Sequence, residues 1–85
     1  MLLAFSEMTH PHIVMNPTVG HGKPCIRGTR ILVENLLDLV AQGYTFDDII
    51  RRAYPQLTKE QIADAVAYAN ELLRNEEIES TLVSA

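Results

Sequence analysis

The hydrophobic pattern of this sequence changes its period at Ile31, and that change limits the possible folds more than any other feature. Between residues 12 and 31, two short and mostly apolar runs, residues 13–15 and 25–27, flank a turn-rich stretch. After Ile31 apolar residues recur every three or four residues, with interruptions at Gly43 and Pro55. The pattern predicts two short strands followed by three helices.

Local signals set the boundaries of the first two helices. The first is predicted to run from about Ile31 to Gly43, a glycine suited to the left-handed residue that ends many helices. Thr45 and Asp48 have the spacing of a capping box, in which each side chain bonds to the backbone of the other. A second helix is therefore predicted over about 46–53.

The third helix has the strongest start signal. Pro55 ends the second helix, and Thr58 with Gln61 forms a second capping box. An apolar stripe then continues over about 59–75, so a third helix is predicted there. The last two helices have the spacing of a helix-turn-helix.

These elements indicate one small, mainly α domain spanning residues 1–85, because no second core can be built from the rest of the chain. Its predicted fold is a small N-terminal β element of two short strands, followed by a three-helix, homeodomain-like helix-turn-helix bundle. The predicted parts are an N-terminal extension (1–11), the β element (12–32), the bundle (33–75) and a mobile acidic tail (76–85).

The charge of the chain is unevenly distributed. The formal net charge is −4, yet residues 1–57 carry equal numbers of cations and acids, so the excess acid lies entirely in residues 58–85. Phosphate groups repel such a segment, so a nucleic-acid surface would have to use mainly the cations of the first two thirds. The acidic end suits a basic protein partner.

The cysteine content and the hydropathy predict a cytoplasmic protein. Cys25 is the single cysteine, so no disulfide can form within the chain. The first ten residues lack the features of a secretory signal, and no apolar run is long enough to cross a membrane. A small core without disulfides favours association, and we expect a homodimer, through strand pairing in preference to the third helix.

The segment from residue 22 to residue 30 is cation-rich and contains two glycines and a proline. Its cations could hold a phosphate backbone, with further contacts from the helix-turn-helix. The predicted DNA contacts are Lys23, Arg27, Arg30, Arg51, Arg52, Lys59 and Gln61. Two alternatives stay open: a plain three-helix core that does not bind DNA, and pairing of Arg27 or Arg30 with Glu34 or Asp38.

No catalytic or metal site is predicted. His10, His12, His21 and Cys25 are of the residue types that bind zinc, but their spacing does not match a structural site. No nucleophile elbow or phosphate loop occurs either. We therefore expect no cofactor and no enzymatic activity.

The segment His21-Gly22-Lys23-Pro24-Cys25-Ile26-Arg27-Gly28-Thr29-Arg30, followed by an apolar helix, a glycine, a short acidic helix, Tyr54-Pro55 and a final helix, resembles the bacterial and archaeal family called domain of unknown function 433. The resemblance covers roughly residues 10–73. The chain departs from the family pattern at His21, where glycine is common, and at Leu32, where proline is common.

The resemblance implies a homeodomain-like helix-turn-helix and the role of an antitoxin, whose toxin partner is a PIN-like ribonuclease. Operator DNA is a second expected partner. From the charge distribution, we predict that the acidic end covers the toxin through Glu71, Glu76, Glu77, Ile78 and Leu82. The alternative is a small protein-interaction module, or an autonomous transcriptional regulator without a toxin partner.

Overall fold

The computed structural model describes the backbone of residues 10–84 and the side chains of residues 10–74. It confirms the predicted fold class, with two short strands followed by three helices. In chain order these are β1 (Ile13–Met15), β2 (Pro24–Ile26), α1 (Val33–Ala41), α2 (Phe46–Arg52) and α3 (Lys59–Ser84). The predicted N-terminal extension lies mostly outside the described residues.

The two strands pair antiparallel, with Ile13 opposite Ile26 and Met15 opposite Pro24. β2 begins at Pro24, as the missing N–H of proline predicts. The connection between the strands includes a tight turn, Gly20–Gly22, in which His21 has a φ of 59°. This left-handed backbone explains why glycine is common at that position in the family that the sequence resembles.

The cation-rich segment folds as β2 followed by a tight turn. Gly28 has a φ of 80°, and the Ile26 N–H donates to the Ile31 carbonyl across the turn. Thr29 fixes the turn with its hydroxyl, which donates to the Ile26 carbonyl and accepts from the Ile31 N–H. The chain then enters α1 through Leu32, whose φ of −79° is also open to proline.

The predicted helix boundaries are confirmed at the capping residues. Gly43 has a φ of 99°, and the Thr45–Asp48 capping box has both of its hydrogen bonds. At the start of α3, the Thr58 N–H donates to Gln61 Oε1 at 2.8 Å, and the Gln61 N–H donates to Thr58 Oγ1 at 3.2 Å. The reciprocal bonds satisfy N–H groups that the first turn of a helix leaves without partners.

The predicted end of the third helix, near residue 75, is wrong. α3 continues to Ser84 and is 26 residues long. The sequence contains no glycine or proline after Pro55, so nothing in it breaks the helix where the apolar period fades. The mobility of residues 76–85 stays a prediction.

One core joins the strands and the helices. It contains Ile13 and Ile26 from the strands, Leu36 from α1, Ile49 from α2 and Ile62 from α3, all fully buried. Along α3, Tyr68 is the last buried residue of the described part. None of the helices within residues 10–84 combines the length and the hydropathy needed to cross a bilayer.

Candidate functional site

The helix-turn-helix surface carries several of the predicted DNA contacts, and two of its cations pair with acids of α2. Arg51 Nη2 lies 2.7 Å from Asp48 Oδ1, and Lys59 Nζ lies 3.1 Å from Asp47 Oδ1. Both pairs are largely exposed, so each is worth little to stability and can be exchanged for another anion. A phosphate bound here would nevertheless lie beside two carboxylates.

Asp48 serves both the capping box and the ion pair. Its hydrogen bonds with the backbone and the side chain of Thr45, followed by the bond from Arg51, lower the pKa of its carboxyl. The carboxylate therefore stays ionised through the neutral range. Binding of DNA at Arg51 would have to separate this charge pair or tolerate it.

The other two helix-turn-helix residues are also engaged. Gln61, predicted to reach a base edge, uses its side-chain oxygen in the cap of α3. The Arg52 guanidinium lies over the Tyr44 ring, 4.8 Å from its centroid, in a cation–π contact. Arg52 keeps its charge and its exposed position, so it is the freer of the two.

The three cations of the hairpin region lie on both sides of β2, with Lys23 before the strand and Arg27 and Arg30 after it. Lys23, before the strand, is within 3.4 Å of Glu34 on α1. Arg27, after the strand, donates from Nε to the Pro11 carbonyl at 2.8 Å. Arg30 has no hydrogen-bond or ion-pair partner among residues 10–74. In the same part of the chain, neither arginine forms the alternative pair with Glu34 or Asp38.

A buried histidine bound by two carboxylates was not predicted from the sequence. His10 is 5% exposed, and its two ring nitrogens lie 2.7 Å from Asp64 Oδ1 and 2.5 Å from Glu71 Oε1. The Asp64 carboxylate also accepts the His12 N–H through its other oxygen, at 2.9 Å. The ring packs edge-on against Tyr68, with centroids 5.5 Å apart. We call His10, Asp64 and Glu71 the histidine clamp.

The clamp favours the protonated form of His10. Burial alone lowers its pKa, but the hydrogen bonds to Glu71 and Asp64, together with their negative charges, outweigh burial and raise the pKa above 6.5. Protonation allows both ring nitrogens to donate. A cation held between two acids of α3 thus fixes the segment before β1 to that helix.

The clamp has a sequence signal that is visible only in hindsight. Asp64 and Glu71 are seven residues apart, which places them on one face of a helix two turns apart. His10 is separated from Asp64 by 54 positions, so nothing local pairs them.

Metal-binding side chains do not form an ion site in the described part of the chain. No group of three or more histidine, cysteine, aspartate or glutamate side chains there is arranged so that it could hold a metal ion.

Only one predicted toxin contact, Glu71, lies within the described side chains, and it belongs to the clamp. Its carboxylate is about one-third exposed while it accepts from His10. The side chains of the other four, Glu76, Glu77, Ile78 and Leu82, lie outside the described residues, although α3 carries their backbone.

An open apolar groove of about 510 Å³ follows the opposite side of α3. Its floor and walls are mainly alanine and larger apolar side chains, and Leu73, 61% exposed, lies at its end. The lining residues are Leu37, Phe46, Ala63, Val66, Ala67, Ala69, Asn70 and Leu73. This is an uncovered apolar surface on the helix that a helix-turn-helix presents to its ligand.

Comparison with known proteins gives two matches. The family described as protein of unknown function (DUF433) matches residues 13–69. The fold is similar to the crystal structure of a DUF433 member protein from Anabaena variabilis ATCC 29413, with a TM-score of 0.69 and 29% sequence identity over 92% of this chain and 76% of that chain. No protein with a curated description matches the chain.

Proposed function

Because the chain belongs to the DUF433 family, we propose that it acts as a cytoplasmic antitoxin, a binding protein and not an enzyme, which covers and neutralises a PIN-like ribonuclease. The observation that carries this proposal is the length of α3. Its last buried described residue is Tyr68, yet the helix continues to Ser84, about 24 Å further at 1.5 Å per residue. A helix that continues this far past its last buried described residue offers a long surface to a partner, which supports the proposal.

We call residues 71–84 of α3 the projecting half, and its charge suits a ribonuclease. An enzyme that binds RNA needs a groove of positive potential or bound metal, and an acidic segment can occupy that groove in place of the substrate. From residue 71 onward the chain has four glutamates and one arginine. Positions 71, 78 and 82 follow at spacings of seven and four, so they share one face of the helix.

Expression with the neighbouring reading frame tests this proposal. We expect the full chain to restore growth and to co-purify with the toxin, whereas a chain truncated after Asn75 should do neither. Replacement of Glu76 and Glu77 by glutamine should weaken neutralisation, while Glu60→Gln, an exposed change in the packed half of the same helix, should not. Full neutralisation by the truncated chain would exclude the projecting half as the toxin contact.

Operator binding is a second candidate function, favoured by the helix-turn-helix order of α2 and α3. Within residues 10–74, Arg27, Arg30 and Arg52 also have no acidic partner. Binding to the DNA upstream of its own gene should weaken steeply as salt rises, because phosphate contacts release counterions. Arg30→Ala should weaken binding to all sequences and lower the salt slope by about one.

Gln61 and Arg51 refine the test of DNA binding. If α3 reads bases, Gln61→Ala should relax sequence preference, but it also removes half of a helix cap. Thr58→Ala is the matched control, since it weakens the same cap without touching the proposed reading residue. Unchanged affinity in Arg30→Ala, Arg51→Ala, Arg52→Ala and Gln61→Ala would leave a protein-interaction module as the function.

A further inference from the structure

The apolar groove beside α3 has a shape that complements itself. At one end Leu73 projects, 61% exposed, and toward the other end Ala63 and Ala67 present only methyl groups. Ala63 and Leu73 are ten positions apart on the same helix, about 15 Å at 1.5 Å per residue. The groove therefore has a projection and a hollow on one face.

A second copy with its α3 antiparallel fits both features at once. In a contact of two-fold symmetry, if residue i of one copy meets residue j of the other, then j also meets i. With Leu73 of each copy over Ala63 of its partner, both leucines are covered and both hollows are filled. Leu37 and Phe46, on the far side of the groove, would flank the incoming leucine.

The charge along α3 selects the antiparallel direction. In a parallel pair, position 77, a glutamate on the groove side of α3, would face its own copy and be repelled. In the antiparallel register that joins 63 to 73, position 59, a lysine, meets position 77 instead. Lys59 would exchange its exposed pair with Asp47 for this contact. The acidic end of each helix also lies near the positive N-terminal end of the other.

We propose that the protein is a homodimer in which the α3 helices pack antiparallel through this groove. Glu71 and Leu72 precede Leu73 by about 200° and 100° around the helix, so they lie on other faces of α3 and outside this contact. The dimer does not depend on the proposed antitoxin function, and either can fail without the other.

The mass of the protein in solution, by light scattering and sedimentation equilibrium at micromolar concentrations, tests the proposal. The wild type should be a dimer. Leu73→Asp should raise the dimer dissociation constant at least about tenfold, because an unpaired carboxylate would be buried in place of a leucine. Leu72→Asp is the matched control on another face of the helix and should leave the dissociation constant unchanged.

A size swap separates packing from general damage to the fold. Ala63→Leu alone should weaken the dimer by filling the hollow, and Leu73→Ala alone should weaken it by removing the projection. The double variant, Ala63→Leu with Leu73→Ala, should recover most of the affinity, with helix content checked by circular dichroism. If the double variant is folded but recovers none of the dimer affinity, the proposed packing of Leu73 over Ala63 is wrong.

Cross-linking tests the direction of the helices. In a mixture of Lys59→Cys and Glu77→Cys chains, oxidation should join the two different chains; Cys25 is buried and should not interfere. Efficient joining of Glu77→Cys chains to one another would show a parallel pair and overturn the proposal. A monomeric wild type, or a dimer unaffected by Leu73→Asp, would overturn it as well, the second result pointing to the strands.

Discussion

The two halves of α3 have similar lengths and opposite surroundings. The first half begins with a cap, buries Ile62, Ala65 and Tyr68, and holds His10 through Asp64; Glu71, the other acid of the clamp, lies just past the division. The second half has no buried described side chain and carries most of the excess negative charge of the chain. The difference divides α3 near residue 70 into a core element and a segment without buried described side chains, and the second is the segment proposed to bind a partner.

The largest effect on stability should appear when an apolar side chain is truncated to alanine in the first half of α3 and, for comparison, in the second half. Ile62→Ala removes a fully buried side chain and should lower the free energy of unfolding by about 2–5 kcal/mol. Leu73→Ala, at concentrations low enough to keep the chain monomeric, should lower it by less than about 0.5 kcal/mol. Urea denaturation measures both free energies of unfolding. Equal losses in the two variants would show that α3 does not divide into a packed half and an unpacked half.

The clamp should give the next largest effect. Asp64→Asn keeps the shape of the side chain but removes the charge that binds His10, so a loss of about 1–3 kcal/mol in the free energy of unfolding is expected. Asp38→Asn, an exposed acid on α1, is the control and should change stability by less than about 0.5 kcal/mol. A loss at Asp64 no larger than that at Asp38 would show that the clamp does not stabilise the packed half.

The same clamp predicts how stability depends on pH. Because the pKa of His10 is raised on folding, its contribution is complete below about pH 6.5 and is lost as pH rises through the folded value. Between about pH 6 and 8, wild-type stability should therefore fall more than that of His10→Asn. NMR titration of the ring should show the raised pKa directly.

The upper limit of that pH range matters because of Cys25. Burial raises the pKa of its thiol, so deprotonation in the unfolded state adds a separate loss of stability at higher pH.

The His10 prediction has a clear contradicting outcome. If the free energy of unfolding changes equally with pH in wild type and in His10→Asn, the interaction of His10 with the two carboxylates does not depend on its titration.

The smallest effect on stability is expected from removing the end of the second half. The buried side chains described in α3 all lie at or before Tyr68, so we expect truncation after Asn75 to change the free energy of unfolding by less than about 0.5 kcal/mol. Thermal denaturation followed by circular dichroism measures it. A large loss would show that the projecting half supports the core, and the truncation would then be unsuitable as a test of toxin binding.

The features predicted correctly from the sequence are those with local causes. The capping boxes at Thr45 and Thr58, the left-handed Gly43 and the strand start at Pro24 each depend on residues close together in the chain. The length of α3 was missed because the prediction followed the apolar stripe, whereas helix propensity without any glycine or proline carries the helix further.

Contacts between distant segments could not be predicted in the same way. His10 was considered only as a possible metal ligand, since its partners Asp64 and Glu71 are brought near only by the packing of β1 on α3. The cations of the predicted DNA site were identified by residue type, but the carboxylates beside Lys23 and Lys59 belong to other elements. Asp48, by contrast, is three residues before Arg51 on α2, so this pair is local and its spacing is visible in the sequence. Charge in a sequence does not reveal which charges are already neutralised.

The histidine clamp also bears on the order of events in folding. Its hydrogen bond from His10 to Asp64 closes a loop of 54 positions, whereas the helices of the bundle form from contacts much closer in sequence. We expect the clamp to form after the main barrier is crossed. Asp64→Asn should then speed unfolding and leave the folding rate nearly unchanged, so the clamp would determine how long the folded chain survives.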